Sequence, residues 1–425
     1  MLDIKFIKEN LDAVKKNIQD RFMEADPDLA VSLYDNRIAL IQETEGLRQK
    51  RNENAKKMKG KMDQEARQVL IAEGRELKEK IAEKEKELSE AETQLYEAVK
   101  KIPNMAHPDA PVGKEDKDNL EIKRFSEPTR FSFQAKDHVQ ISEDLDLVDF
   151  DTATAVSGTK FYYLKNEAVL LEFALSRYAM DILIKKGFTP FITPDVAREE
   201  ILEGIGFNPR GEESNIYTLE DTGTCLVGTA EITLGGYNSN KILDKDTLPV
   251  KMAGFSHCFR KEAGAAGQYS KGLYRVHQFS KVEMFIFCLP EESEKYHQEL
   301  LSTEEEIFQG LEIPYRVVDT CTGDLGSPAY RKYDLEAWMP GRGDEGDWGE
   351  ITSTSNCTDY QARRLGIRYK EEKQTRFVHM LNGTAVAISR AMIAILENFQ
   401  QEDGSVIIPK NLIPYTGFDR INKKD

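Results

Sequence analysis

Four stretches of this 425-residue chain hold residues whose types and spacing could do chemistry. The first runs from Phe255 to Phe287. It contains Phe259-Arg260-Lys261-Glu262, twelve intervening residues, then Arg275-Val276-His277-Gln278-Phe279 and, four residues on, Glu283. Read as strand, loop and strand, side-chain alternation predicts that Arg275, His277, Phe279, Lys281, Glu283 and Phe285 share one face. Such a face could hold something flat, something anionic and something aminated together. The second stretch is Gly228-Thr229-Ala230-Glu231, a hydroxyl and a carboxylate at a strand-to-turn transition, which alone reads equally well as a surface turn. The third, Trp348 to Cys357, alternates so that Glu350, Thr352 and Thr354 fall on one face and Ile351, Ser353 and Ser355 on the other. Its oxygens suit a hard cation such as Mg²⁺ or simply cap an edge strand. The fourth, Leu381 to Arg390, puts the small residues Gly383, Ala385, Ala387 and Ser389 on one face and Thr384, Val386 and Ile388 on the other. Close approach of a ligand or of a packed element would explain that row.

The elements that must position these residues follow from the rest of the chain. Strands are expected at Lys251–Arg260, Tyr274–Phe287, Tyr315–Asp319, Lys332–Trp338, Gly349–Ser355 and Phe377–Ile388. Without a βαβ rhythm they predict an antiparallel sheet with helices packed on it, an α+β fold. A helix Lys165–Lys186, with Leu170, Leu171, Phe173, Ala174 and Tyr178 patterned for burial, runs into an extended edge at Gly187–Pro194. A second helix, Ala391–Gln400, would carry Arg390 at a sheet end. There is no GxGxxG and no GxxxxGK[ST], so any nucleotide is bound by another architecture.

The N-terminal part differs in character. Residues 1–28 predict a small helical cap. From about residue 33 to 102 there is no proline and a heptad runs through the second half, with Leu70, Leu77, Lys84, Ala91 and Ala98 in one column and Gly74, Ile81, Leu88, Leu95 and Ile102 in the other. Two helices in an antiparallel coiled-coil hairpin turning near Gly60–Asp63 are expected. Near the turn, Arg48, Lys50, Arg51, Lys56, Lys57, Lys59 and Lys61 face one acid, Glu53, in a chain of net charge −16. The bland reading is a solvated helix face. A basic tip in an acidic protein also suits phosphate contacts. Pro103, Pro108 and Pro111 mark a linker, so the domains expected are 1–110, an N-terminal arm, and 111–425.

Composition, 40% hydrophobic and 31% charged, is that of a soluble globular protein. No apolar run approaches a membrane span, and the N-terminus lacks a secretory signal. Five scattered cysteines without a CxxC pair argue against a disulfide framework and a thiolate zinc site. A cytoplasmic location is expected, an organellar form with a removed targeting segment being the alternative.

Taken in order, these motifs resemble the three signatures of class II aminoacyl-tRNA synthetases: the helix with Gly187–Pro194, Phe259–Phe279, and Gly383–Arg390. Within that class the chain is most similar to the seryl-tRNA synthetases. The likeness spans the whole length, through MLDIKFIKEN, the hairpin, IPNMAHPDAPVG, Thr229-Ala230-Glu231, CFRKEAGAAG, CTGDLG, TSNCTDYQARR and AILENFQQEDG. It implies a homodimeric ligase of translation, with a tRNA-binding arm and a catalytic domain binding ATP and serine. That enzyme activates L-serine with ATP to seryl-adenylate and transfers it to the 3′ end of tRNA(Ser), with tRNA(Sec) a further candidate acceptor. By the same resemblance Arg260 grips the α-phosphate and the serine carboxylate, and Glu262 reads the adenine side. Phe279 stacks on the base, Val276 touches the nucleotide, and Arg390 clamps the γ-phosphate. The ATP set is completed by Lys261, Glu350, Ile351, Thr352 and Ser353, with Glu350 and Ser353 holding Mg²⁺. Thr229, Ala230, Glu231, Glu283, Asn382 and Thr384, with Arg260, form the serine pocket.

The tRNA contacts are expected on Arg48 to Lys61, and the loop Ala263–Tyr274 is expected to cover the site. Four features depart from the pattern or lack a role. Ser389 stands where many class II members have a carboxylate. The run after Glu231 is rich in glycine, and Pro340–Gly349 looks like an insertion. His277 is read as structural. Two rivals remain: a paralogue that loads a carrier molecule, and a non-catalytic coiled-coil interaction protein.

Overall fold

The structure, a computed structural model, describes residues 1–208, 215–262 and 272–424. The chain divides into two compact units, Met1–Met105 and Ala106–Asp425.

The first unit is helical. Short helices Ile4–Glu9 and Leu11–Asp20 bury Ile7, Val14 and Ile18. Helices α1 (Pro27–Lys57) and α2 (Gln64–Lys100) form the expected hairpin. At 31 and 37 residues they extend about 45 and 55 Å. Asp26 and Asp63 cap their N-termini by accepting from Leu29 N–H (2.9 Å) and Ala66 N–H (2.7 Å). The heptad is confirmed where Leu77, Ile81, Ala91 and Ile102 are buried. Lys84, the charge in the seam, is satisfied by Glu43 at 3.1 Å and Glu87 at 2.8 Å. On α1 the polar seam residue is Asn54, buried and donating to Glu73 at 2.7 Å, while Arg51 faces solvent.

The second unit is built on one eight-stranded sheet. Its strands are β1 (Leu120–Phe125), β2 (Thr189–Ile192), β3 (Val250–Phe259), β4 (Gln278–Cys288), β5 (Tyr315–Asp319), β6 (Arg331–Met339), β7 (Asp347–Asn356) and β8 (His379–Ala387). The spatial order is β1-β5-β6-β7-β8-β4-β3-β2, antiparallel throughout except for the parallel β2–β3 edge pair. On one face α3 (Glu167–Lys185), α5 (Ser293–Gly310) and α6 (Ile388–Asn398) cover Val282, Met284, Ile286, Leu335 and Val386 in the main core. On the other, helix α4 (Ala230–Gly236) lies over Phe285 and Phe287 in a second apolar cluster.

Three expectations are corrected. The strand expected from Tyr274 begins at Gln278, so Arg275 and His277 do not belong to its face. In α3, Leu171, Ala174 and Tyr178 are buried, but Leu170 and Phe173 are 47% and 65% exposed. The third correction concerns register. Ile351 in β7 and Ala385 in β8 have no opposite residue, because Leu335 and Glu336 pair with Thr352 and Glu350, and Val282 and Glu283 pair with Val386 and Thr384. Each is a one-residue bulge that reverses the alternation beyond it. Glu350 therefore shares a face with Ser353, and Thr384 shares one with Ala387.

Candidate active site

The open face of the sheet carries a cleft along β4, whose residues Phe279, Lys281 and Glu283 alternate toward it. At its inner end is a buried polar cluster. Glu283, 2% exposed, forms an ion pair with Lys281 and accepts from the hydroxyls of Thr229 and Thr384, both at 3.3 Å. Thr229 is also the N-cap of α4, so the turn that starts the helix sets the hydroxyl. One residue beyond Ala230, Glu231 accepts from Gln361 and Asn382, each at 2.9 Å. Burial, then the nearby Glu283 charge, pushes the Glu231 carboxyl from its ordinary 4.5 up to about 7. The glycine-rich run after Glu231 has a packing cause. A Cβ on Gly235 would come within 2.3 Å of Ile205, and one on Gly236 within 2.5 Å of Ile201. The glycines let α4 lie close on the helix Glu199–Ile205.

Toward the rim the site becomes cationic. Arg260 leaves the end of β3, donates to the Gly228 carbonyl at 3.3 Å from Nε and Nη2, and stands over the Phe279 ring at 5.2 Å. Glu262, held in left-handed backbone at φ 46°, meets Arg275 at 3.4 Å. Val276 is buried in the cleft wall. Arg390, in the first turn of α6, bonds the Glu350 carboxylate (3.3 Å) and its backbone carbonyl (2.8 Å), and lies 4.6 Å over Tyr274. The cleft opens into a polar cavity of about 530 Å³ walled by Arg275, Lys332, Asp334, Glu336, Glu350 and Arg390.

The bulge at Ile351 settles which oxygens share the cavity's face of the sheet. Thr352 and Thr354 turn to the helix side, Thr352 donating to Glu304 at 2.8 Å and Thr354 to the Asn382 carbonyl at 3.1 Å. The Ile351 side chain is in the main core. Ser353 instead pairs across with Asp334 and hydrogen-bonds it. Arg390 and Lys332 hold Glu350 below the usual carboxylate range although desolvation opposes them. Burial raises Asp334, whose Oδ1 has no hydrogen-bond partner. Glu350, Ser353 and Asp334 are thus hard oxygen donors on one face, a set that fits a Mg²⁺ ion keeping most of its water.

Of the expected nucleotide contacts, Lys261 stands apart, while Ile351 and Thr352 line the cleft. Lys261 is exposed, its ammonium 6.0 Å over the Tyr217 ring, outside the cleft lining. Thr352 lines the cleft but gives its hydroxyl to Glu304. His277 bonds the Arg260 carbonyl at 2.9 Å and packs near Phe161 and Tyr217, a buttress for the strand end. Of the expected covering loop, residues 263–271 lie outside the described residues. Sequence reasoning passed over Tyr274, Asp334, Gln361 and the Lys281–Glu283 pair. Lys281 was visible on the β4 face and Gln361 lay within the TSNCTDYQARR motif without a role, whereas Asp334 comes from a distant strand and left no local signal. In the helical unit, all seven cations from Arg48 to Lys61 are exposed, and Arg48 pairs with Glu85 at 2.8 Å.

The chain is similar to known proteins along its length. Residues 217–399 match the family model of the tRNA synthetase class II core domain (G, H, P, S and T), which defines the class. Residues 1–106 match the seryl-tRNA synthetase N-terminal domain. A serine–tRNA ligase of Treponema denticola is 67% identical over 99% of this chain and 100% of its own. One from Borrelia recurrentis is 58% identical over 100% of both. The solved seryl-tRNA synthetase from Pyrococcus horikoshii, complexed with ATP, superposes with a TM-score of 0.93 at 43% identity, covering 100% of each chain. The chain belongs to the serine–tRNA ligase family.

Proposed function

We propose that this protein is a serine–tRNA ligase, forming seryl-adenylate from serine and ATP and passing the seryl group to tRNA(Ser). One observation carries the reading. A buried pocket of acids and hydroxyls and an arginine-lined cavity lie along a single strand, with Phe279 and Glu283 about 13 Å apart. That spacing suits an adenylate from base to amino acid.

In this reading Glu231 and Glu283 take the serine ammonium and hydroxyl, with Thr229, Asn382 and Thr384 completing the wall and the Ala230 backbone closing it. Arg260 holds the serine carboxylate against the α-phosphate. As the carboxylate oxygen attacks phosphorus, the bond to the β-phosphate breaks and pyrophosphate leaves; Arg260 balances the charge that builds there. Phe279 supports adenine, with Glu262 and Val276 at the base and ribose. Arg390 binds the terminal phosphate once released from Glu350. Glu350 and Ser353, backed by Asp334, would hold Mg²⁺, which supplies neutralisation of the phosphate charge. The ribose hydroxyl of the tRNA end then attacks the seryl carbonyl and AMP departs. No covalent enzyme intermediate is required.

The hairpin, within an N-terminal domain of 1–110, is assigned to tRNA through Lys50, Arg51, Lys56, Lys57, Lys59 and Lys61, with Arg48 at the edge of the patch; 111–425 is assigned to catalysis. Phosphate and shape contacts suit basic side chains on a rigid helix pair. The exposed Leu170, Phe173, Ile184 and Ile192 support a homodimer through the first motif. Five buried free cysteines suit the reducing cytoplasm.

The test is amino-acid-dependent ATP–pyrophosphate exchange followed by charging. Serine alone should support rapid exchange, and tRNA(Ser) should then be acylated. Exchange with another amino acid instead, or exchange without charging, would reject the assignment.

A further inference from the structure

A buried pair that none of these steps uses joins three parts of the cleft. His138 opens the helix His138–Asp144, and Glu397 lies near the end of α6. Their side chains are 10% and 2% exposed. Glu397 Oε1 accepts from the His138 backbone N–H at 2.9 Å and stands 2.8 Å from its Nδ1. Glu397 Oε2 accepts from the Gly341 N–H at 2.9 Å. A carboxylate on one ring nitrogen fixes the proton there and leaves the other as an acceptor. That other nitrogen, Nε2, receives the Leu273 N–H at 3.2 Å. The fit admits nothing larger, since a Cβ on Gly272 would come within 2.2 Å of Nε2.

The residue after Leu273 is Tyr274, which lines the Phe279 cleft, the 530 Å³ cavity and a third cavity of about 280 Å³ bounded by His138 and Glu397. Its ring meets two guanidiniums, Arg390 at 4.6 Å and Arg342 at 4.7 Å, and its hydroxyl donates to the Glu350 carbonyl at 3.3 Å. Glu397 rides on the helix that carries Arg390. Through Gly341 it holds the turn that carries Arg342, and through His138 it holds the segment that carries Tyr274. One carboxylate and one imidazole thereby set the mutual placement of the three side chains.

We propose that His138 is a positioning residue for the nucleotide side of the site, working through its Nε2 acceptor on Leu273 with Glu397 behind it. This rests on the reading of the cleft as an ATP site. It gives the Met339–Asp347 connection and the AILENFQQEDG motif a task, namely holding Arg342 and Arg390 about Tyr274. Thr384 and Arg260 share the cleft with Tyr274 and Arg390, whereas the serine-pocket carboxylates Glu231 and Glu283 are held by Gln361, Asn382, Thr229, Thr384 and Lys281 rather than by these groups.

The experiment is exchange kinetics on the full-length chain with two His138 variants. In His138→Asn the amide stands where Nδ1 was and keeps Glu397, but nothing reaches Leu273. In His138→Gln the side-chain oxygen extends to the place of Nε2 and can accept from Leu273. H138N is expected to raise the ATP KM about tenfold while the serine KM changes less than about twofold, and H138Q to stay within about threefold of wild type for both. Equal behaviour of the two variants, or parallel rises in both KM values, overturns the inference. If H138N does not fold, Glu397→Gln replaces it, turning one acceptor oxygen into an NH2 and so losing at least one of the three hydrogen bonds to His138 and Gly341; the same ATP-selective rise is expected, and an unchanged ATP KM overturns the inference. Wild-type protein without serine-dependent exchange would instead overturn the ATP reading itself.

Discussion

Glu231 is the residue whose environment speaks most directly to function. With its carboxyl raised to about 7, it is neutral in mildly acidic solution and charged above. A carboxylate that pairs with an ammonium must be ionised. The serine KM should therefore fall as pH rises from about 6 to about 8, and Glu231→Gln should flatten that change in exchange assays. Stability runs the other way. Folding binds a proton at Glu231, so its contribution is fully present below about pH 4.5 and is lost as pH rises through about 7, which titration of the melting temperature would register. Lys281→Met would strand the Glu283 carboxylate without its cation, and a loss of about 3–5 kcal/mol in denaturant unfolding is expected. Specificity belongs to the same atoms. Acceptors placed for a substrate hydroxyl are left unpaired by alanine, so discrimination of about 10⁴ against alanine is expected in kcat/KM, and a smaller margin against threonine, which only volume excludes.

At the scale of elements, the hairpin carries its own prediction. Neutralising Lys56, Lys57, Lys59 and Lys61 to Gln should leave serine-dependent exchange within about twofold of wild type and weaken tRNA binding. The salt dependence of binding should flatten by about one unit of slope for each phosphate no longer neutralised. An unchanged slope would separate the basic tip from tRNA. The hairpin was legible because heptads and a proline-free run are local signals. The sheet strands were legible within a few residues for the same reason. What alternation could not reveal was phase. Counting by twos put Glu350 with Thr352, and the resemblance put it with Ser353; the bulge at Ile351 reconciles the two, because the register depends on a partner strand that local sequence does not name. Leu170 and Phe173 were patterned for burial, yet the single chain leaves them uncovered, for a related reason. An apolar stripe looks the same whether its cover is the same chain or a second copy.

For the whole molecule, that stripe yields a prediction about assembly. Phe173→Asp places a charge on the exposed apolar face and should shift the protein from dimer to monomer in sedimentation equilibrium, while a monomeric wild type would contradict the assignment. Across the rest of the chain, the bulges at Ile351 and Ala385 have a consequence for tolerance to length change. Removing Ile351 would only straighten the bulge, because Leu335–Thr352 and Glu336–Glu350 would then be consecutive pairs of a regular ladder. Adding one residue beside it would act like a frame shift within the sheet. From that point toward Asp347 the strand would lie half a pleat out of step, bringing Glu350 under the helices. No side-chain substitution could restore it, because the fault is a count of residues rather than a chemical group.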